Sequence, residues 1–575
     1  MNNSNISKPC LVETRQGFSV SYQEKPLYSK YAPKDSIKKL IDNLTILPNT
    51  LILCFSPVLG YGLEELLGKL LENCFILALE KDKNLYDFSL SSQESLVSNF
   101  LNKTSSFLYM NADNPIQIAK LVNGIDITTN LDKINFPKIA NFKRVIPLEF
   151  SGGAKLYPDF YKETTSLVDE SISQFWKNRT TLMKLGRLYA GNFFKNLQDI
   201  AQSQHQEVIS YNKFSQICSN KHILVLGTGL SLDDFLPLLK SLINDNNIRK
   251  HLFIIAVDAS LPVVGKYGII PDLVVGVEGQ LAIEKAYIGF NNSKLLFASD
   301  LVSRPSIKRI LKGNTFFFLS KYTSEPFIQE FLNLSNQLNI PTIEPLGSVG
   351  LVAVELALLF RNPNNKIFCC GTDFSFIPGK THCKGAPVHN AILSSCNRLS
   401  TTEQLNSSFT NGTFYINGKS SFNNPLAQEL TSKALYNYAL HFAKRYSTVA
   451  NIFDLSDFGV ITGLPKISFT DFINSFDFHD SQNNISHYSD FSSQNQNANE
   501  KKTIKDFLRL HHQKLLEIKQ ILTGKQDSTN LSNLLLECGY LYLHFPDGHN
   551  GPKLTPDFLK RIRAEVELFL KITKL

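Results

Sequence analysis

The sequence predicts an α/β protein built on an open, mostly parallel central sheet, and three observations carry that prediction. The stretch Lys221-His-Ile-Leu-Val-Leu-Gly-Thr-Gly-Leu-Ser-Leu-Asp-Asp234 runs four apolar residues into turn-forming glycines. That is the pattern of a strand buried on both faces that hands over to a helix. Apolar runs then recur at 252–257, 273–277, 295–298, 315–319 and 367–370, with helical or loop stretches between them, the alternation of a parallel α/β sheet. A smaller version precedes it: a strand at 51–55, the turn Gly60-Tyr-Gly62, a helix at 63–71 and a strand at 75–79 that closes on Glu80.

Taken in order, residues 1–160 read as an N-terminal Rossmann-like domain, opening with a short β element around Gly17-Phe-Ser-Val-Ser-Tyr22 and a helix from Lys34. An acidic residue about 20 positions after a glycine turn is the ribose-binding arrangement of nucleotide folds. Gly60 and Gly62 have no further glycines after them, however, so a purely structural Rossmann-like unit fits Glu80 equally well. Residues 161–204 carry Trp176, Leu182, Leu185, Leu188 and Tyr189 at helical spacing and read as a helical connector. The central Rossmann-like domain spans 205–474. Its first helix presents Phe235, Leu238, Leu239 and Leu242, and Pro237 places the helix start near Asp234, because proline is harmless only in the first turn. Residues 475–500, rich in Ser, Asn, Asp and Gln without apolar periodicity, read as a linker, and 501–575 as a helical C-terminal domain.

Composition excludes several classes. The 575 residues are 43% hydrophobic and 11% aromatic, enough for ordinary cores, and the net charge of +8 is spread without a dense Lys/Arg run. The expectation is therefore no nucleic-acid partner. The polar start Met1-Asn-Asn-Ser-Asn-Ile-Ser-Lys8 has no apolar core, and the longest apolar stretch, 347–360, is short and carries Glu355. Both predict a cytoplasmic chain with no membrane partner. Nine scattered cysteines without a Cys-x-x-Cys pair read as buried free thiols. Cys370, His382, Cys383 and His389 match no standard ligand spacing, so no metal centre is expected.

In an open α/β sheet, ligands gather beyond the carboxyl ends of the strands. Those ends read Gly227-Thr-Gly-Leu-Ser231, Asp258-Ala-Ser260, Glu278 on a strand led by Asp272, Ser299-Asp300, and Gly371-Thr-Asp-Phe-Ser375. Gly347-Ser-Val-Gly350 opens the apolar helix before the last of these. A glycine turn and a helix N-terminus together supply N–H donors for a phosphate. Each element taken singly also reads as a cap, a turn or a close-packed glycine.

Gly227-Thr-Gly-Leu-Ser-Leu232, Val257-Asp-Ala-Ser260, Tyr267-Gly-Ile-Ile-Pro-Asp272 and Gly371-Thr-Asp-Phe374 with Thr381-His382 resemble the motility accessory factor (Maf) family of flagellin-modifying proteins. That family has a central domain like 6-hydroxymethylpterin diphosphokinase. The same stretches are similar to bacterial sialyltransferases, and Leu27-Tyr-Ser-Lys-Tyr-Ala-Pro33 with Gly60-Tyr-Gly62 resembles the Maf N-terminal region. The resemblance spans roughly residues 10–465. Leu230 stands where the family usually has proline, Thr228 where the sialyltransferases have a nucleotide-contacting asparagine, and Glu278 where aspartate is commoner.

The resemblance implies transfer of a nonulosonic (sialic-acid-like) sugar from its CMP donor to Ser or Thr of flagellin, supporting flagellar assembly and motility. On that reading Gly227, Thr228, Gly229 and Ser231, with Ser348 and Gly350, face the donor phosphate. Asp258, Ala259, Ser260, Asp272 and Glu278 contact the rest of the donor. His382 is the base and Asp373 orients it, with His389 as the substitute base. The alternative role for Asp373 is to hold Mg²⁺, the one cofactor the resemblance leaves open. Two other readings stay open: a diphosphokinase using ATP and Mg²⁺ through Asp258, Asp272 and Asp373, and a non-catalytic flagellin-binding protein.

Overall fold

The computed structural model describes residues 8–101, 104–124, 136–202, 216, 218, 220–292, 294–338, 340–422, 428–476 and 498–574. The chain divides into two compact units, Met1–Lys184 and Leu185–Leu575.

The first unit opens with an antiparallel meander of β1 (Cys10–Thr14), β2 (Gly17–Tyr22) and β3 (Lys25–Pro26). Gly17, at φ +116°, turns the first hairpin and returns its carbonyl to the Thr14 hydroxyl at 2.7 Å. A four-stranded parallel sheet follows, built from β4 (Thr50–Phe55), β5 (Phe75–Glu80), β6 (Phe107–Asn111) and β7 (Arg144–Glu149) in the order β6-β5-β4-β7. Every residue of β4 and β5 is buried, as strands covered on both faces require. Pro147 lies in β7, an edge strand, where a missing N–H is tolerated.

The expected connector is one helix, Pro158–Gln202, and residues 203 and 204 lie outside the described residues. The unit boundary falls within this helix, after Lys184. In the first unit Trp176 anchors it, its indole N–H donating to the Phe142 carbonyl.

The second unit is organised on an eight-stranded parallel sheet. Its strands are β8 (His222–Leu226), β9 (Leu252–Val257), β10 (Leu273–Gly276), β11 (Leu296–Asp300), β12 (Thr315–Ser320), β13 (Thr342–Ile343), β14 (Ile367–Cys370) and, after a hairpin of β15 (Thr413–Ile416) and β16 (Glu429–Ser432), β17 (Ile452–Asp454). Strand order is β13-β12-β11-β10-β9-β8-β14-β17. The chain steps outward from β8 to β13, returns through the helix Val349–Phe360, and inserts β14 on the other side of β8. Strand order therefore reverses between β8 and β14, where open α/β sheets form their ligand crevice.

All six expected central strands are present, most with ends shifted by one or two residues. The helix after β8 starts at Leu232, two residues before the expected Asp234. Pro237 sits inside this helix and forfeits one backbone bond, to the Asp233 carbonyl, while Leu232, Phe235, Leu236, Leu239 and Leu242 are buried around it. Burial of that face outweighs one missing bond. Glu355 interrupts the apolar helix Val349–Phe360 because Arg445 pairs with it in a two-pronged contact, at 2.6 and 2.9 Å, and the Tyr446 hydroxyl donates to it at 2.8 Å.

Most of the expected linker, residues 477–497, lies outside the described residues. The C-terminal helices Ala498–Leu522, Leu531–Glu537 and Pro556–Ile572 belong to the second unit rather than to a module of their own. Phe507, His511, Tyr540 and Phe569 interlock with Phe194, and Lys514 pairs with Glu330 on the helix Pro326–Leu338 at 3.1 Å. No helix among the described residues is long and apolar enough to cross a membrane.

Candidate active site

The carboxyl ends of β8 and β14 are locked together. The backbone N–H groups of Gly227 and Gly229 donate to the carbonyls of Cys370 and Gly371, each at 2.8 Å. Ser231 grips Asp373 twice, through its N–H to Oδ2 at 2.8 Å and its hydroxyl to Oδ1 at 2.6 Å. A Cβ on Gly227 would overlap the Gly371 carbonyl, and one on Gly229 would overlap the Asp373 carboxylate. These glycines are thus required by strand-end packing.

That finding corrects the phosphate cradle expected from the turn. The amides of Gly227, Gly229 and Ser231 are engaged, and among the described residues only Thr228 and Leu230 of this turn keep an N–H without an acceptor. Asp373 is also corrected. It is almost fully buried, both its oxygens accept from Ser231, and it makes no hydrogen bond to His382. Burial pushes its carboxyl up to about 6, against the opposing pull of the Lys419 cation and the Ser231 donors. The backbone here is unusual: Gly371 and Phe374 both have positive φ, +75° and +54°. A phenylalanine in that region stores strain of the kind that clusters at functional sites.

The other expected residues separate into two edges of the sheet. Asp258, Ala259 and Ser260 form a single 3₁₀ turn at the carboxyl end of β9. Asp258 is buried, one oxygen accepting from the Ala259 N–H at 2.7 Å, and burial raises its carboxyl to about 7 with repulsion from Glu278 adding to the effect. Glu278 follows β10 on the same edge, half-buried, and accepts from Gln280 N–H at 2.9 Å. Ser260 is completely buried, its hydroxyl directed at the carbonyls of Leu226 and Val257 at 3.0 and 2.9 Å, so it ties β8 to β9 instead of facing a ligand. Asp272 immediately precedes β10, at the amino edge of the sheet. There it accepts from Arg249 at 2.9 Å and from Ile254 N–H at 2.7 Å. Because the strands are parallel, that edge is opposite the crevice, and Asp272 leaves the site.

Ser348 caps the helix Val349–Phe360 with extended backbone, and its hydroxyl makes no capping bond. The space beside Gly350 is bounded by Ser348 Oγ and Thr372 Cγ2, 3.6 and 3.7 Å from the position of an added Cβ. A helix N-terminus with open N–H groups therefore lies next to the end of β14, the arrangement that favours an anion.

On the other face of the sheet, the loop after β14 folds over the glycine turn, Cys383 N–H donating to the Thr228 carbonyl at 3.0 Å. His382 sits in this loop with Nδ1 3.0 Å from the Thr381 hydroxyl. Desolvation, with the nearby His389 imidazole, depresses its pKa, and His389 is likewise lowered, first by desolvation and then by Lys380. Both rings are therefore neutral near pH 7, and a neutral imidazole can accept a proton. Among the described residues no three His, Cys, Asp or Glu side chains are grouped to hold a metal ion.

Sequence reading missed a buried ionic group behind this site. Lys419 and Asp454 pair at 2.5 Å, both over nine-tenths buried. Glu429, fully buried, accepts from Ser375, Ser420 and the Gly459 N–H. These contacts hold the hairpin and the segment after β17 against Asp373, whose carbonyl accepts from Val460 N–H at 2.8 Å. Asp454 ends a short apolar run, as the other edge acids do, and could have been found on that signal. Lys419 and Glu429 carry none.

In the first unit, Glu80 is fully buried and its oxygens accept from Ser56 at 2.6 Å, Asp82 N–H at 3.1 Å and Tyr161 at 3.3 Å. An added Cβ on Gly62, at φ +85°, would overlap Ile37 and Ile41. Glycine turn and acid are both accounted for by packing, the structural alternative left open by the sequence.

An uncharacterized protein from Treponema pallidum (strain Nichols) is 30% identical over 587 residues, covering 98% of this chain and 95% of that protein. A model of the family described as 6-hydroxymethylpterin diphosphokinase MptE-like matches residues 191–379, which include β8 to β14 and their turns. The solved structure of a Maf glycosyltransferase from Magnetospirillum magneticum AMB-1 aligns with 99% of this chain and 92% of its own, at a TM-score of 0.54 and 13% identity. The MptE-like match and the likeness of fold to a Maf glycosyltransferase support the resemblance of this chain to the Maf family. The MptE-like segment of this chain contains the whole β8/β14 junction, Ser348 and the strand end Gly371–Asp373, and stops just before His382. At 13% identity, the likeness to the Magnetospirillum structure is one of fold.

Proposed function

We propose that the chain is a glycosyltransferase that moves a nonulosonic sugar from its CMP conjugate to Ser or Thr of flagellin. The observation that carries this reading is the end of β14. An uncapped helix N-terminus at Ser348 lies beside Thr372 on one face, and a loop bearing the neutral His382 covers Thr228 on the other. The Maf architecture, shared with a structure described as a glycosyltransferase, supports the same reading.

In this reading the acceptor hydroxyl attacks the anomeric carbon, the bond from that carbon to the phosphate oxygen breaks, and CMP leaves with the electron pair. The N-terminus of the helix Val349–Phe360 and the free N–H groups of Thr228 and Leu230 stabilise the departing phosphate. His382 takes the acceptor proton on Nε2 while Nδ1–H donates to Thr381. Asp258, with its raised pKa and single backbone hydrogen bond, is the polar group offered to the nucleoside from β9.

The test is transfer from a CMP-nonulosonate to purified flagellin, followed by intact-protein mass, alongside ATP with 6-hydroxymethylpterin. A mass gain of one sugar supports the proposal. Pyrophosphate transfer to the pterin would favour the diphosphokinase alternative, which the MptE-like match supports. Neither product, with flagellin captured, would favour a binding protein.

A further inference from the structure

Around the loop that carries His382, positive charge exceeds negative. Asp233, in the first turn of the helix after β8, accepts from Lys380 Nζ at 2.5 Å and from the Lys384 N–H at 2.8 Å. Lys266, the last residue of the helix after Asp258-Ala-Ser260, brings its ammonium over Gly385, 2.9 Å from where a Cβ would stand. Gly385 has φ +93° and no side chain to keep that ammonium away. Among the described residues the ammonium groups of Lys266 and Lys384 have no carboxylate partner, whereas that of Lys380 is paired with Asp233. After desolvation, the charges of Lys380, Lys266 and Lys384 also lower the His389 pKa while Asp233 raises it, so all four lie within electrostatic reach of that imidazole.

This cationic rim and the N-terminus of the helix Val349–Phe360 belong to cores on opposite faces of the same sheet, with β14 ending between them. The crevice therefore offers two separate anion-attracting flanks. A nucleotide monophosphate supplies one anion, whereas a CMP-linked nonulosonic sugar supplies two, because its anomeric carbon also bears a carboxylate.

We propose that Lys266 and Lys384 bind the carboxylate of the donor sugar and so select acidic nine-carbon sugars over neutral ones. The proposal deepens the glycosyltransferase reading and rests on it. Lysine suits the task as a mobile point charge that follows the carboxylate as the anomeric centre flattens during transfer.

Calorimetric titration of the full chain tests it, with CMP and CMP-N-acetylneuraminate as probes. The wild-type protein binds the sugar conjugate more tightly than CMP. Replacing both lysines (Lys266→Ala with Lys384→Ala) weakens the conjugate by roughly tenfold or more and changes CMP by less than about twofold. Lys266→Arg with Lys384→Arg retains most of the preference. Both positions are at least partly exposed, so the fold tolerates the changes, as circular dichroism would verify. Equal weakening of both probes would overturn the proposal by assigning the rim to the nucleotide phosphate, and no weakening of either would overturn it outright. Failure of wild-type protein to bind CMP at all would remove the glycosyltransferase reading itself, a result distinct from the other two.

Discussion

Ser231 and Asp373 hold each other by two hydrogen bonds, backbone N–H to Oδ2 at 2.8 Å and hydroxyl to Oδ1 at 2.6 Å. The Ser231 hydroxyl also accepts the Gly371 N–H at 3.0 Å, so one serine fastens the end of β8 to both sides of the β14 turn. Residues that the sequence suggested as ligand contacts are thereby the fastening of the crevice. Their removal acts first on stability.

Asp373→Ala leaves the part-buried Ser231 N–H without an acceptor and its hydroxyl with Ser456 alone, a cost of about 1 to 3 kcal/mol. Asp373→Asn keeps one acceptor but turns an N–H₂ toward a donor, and costs less. Urea unfolding monitored by circular dichroism measures both. A midpoint unchanged in Asp373→Ala would contradict the fastening role.

Gly229→Val places a branched side chain where the Asp373 carboxylate sits. The structure predicts a poorly soluble or partly unfolded protein, with a cost of at least about 3 kcal/mol. A well-folded Gly229→Val protein that merely lost CMP binding would restore the phosphate-cradle role for this turn.

His382→Ala is expected to lower transfer by about two to four orders of magnitude while CMP binding stays within about twofold. His389→Ala should be milder. The assay is intact-mass analysis of flagellin after timed reaction with a CMP-nonulosonate. Near-normal transfer by His382→Ala would move the base elsewhere, and Asp258 would be next to test. Full transfer in excess chelator would exclude an obligatory Mg²⁺.

Asp258 gives a prediction in pH. Its folded value of about 7 lies above the ordinary 3.8, so the folded protein retains a proton that the unfolded chain releases between them. Stability from this group falls as pH rises through that window and is level above about pH 7. Asp258→Asn keeps the Ala259 contact and cannot ionise. Its melting temperature relative to wild type should therefore rise from about pH 4 to about pH 7 and then level off. A difference independent of pH would contradict a buried, protonated Asp258. The other raised acids, Glu80, Asp300 and Asp373, are common to both proteins and drop out of the comparison.

Truncation before Ala498 should destabilise the second unit, since it uncovers Phe194 and the helix Pro326–Leu338. The sequence, by contrast, presents the C-terminal helices as a separate domain behind a linker. Calorimetric unfolding of the truncated chain distinguishes the two: an unchanged transition would make the helices an independent module.

The sequence by itself determined the α/β class, the six principal strands of the large sheet and the carboxyl edge as the place for a site. Those strands are short, mainly apolar runs, some of them closed by glycine, a local signal that survives without knowledge of neighbours. The strands β6, β7, β13 and β17 escaped because they are short or part-polar edge elements whose partners are remote in sequence. Tertiary structure alone decided which edge residues face the crevice. Asp272 and Asp258 look alike in the sequence, yet one precedes its strand and pairs with Arg249 while the other follows its strand, and parallel geometry sends them to opposite edges. It also decided that Gly227 and Gly229 serve packing, that Lys419 and Glu429 brace Asp373 from a distant hairpin, and that Lys266 reaches over Gly385. Hydrogen-bond donors and charges acquire roles only when their partners are fixed, and those partners lie tens to hundreds of residues away.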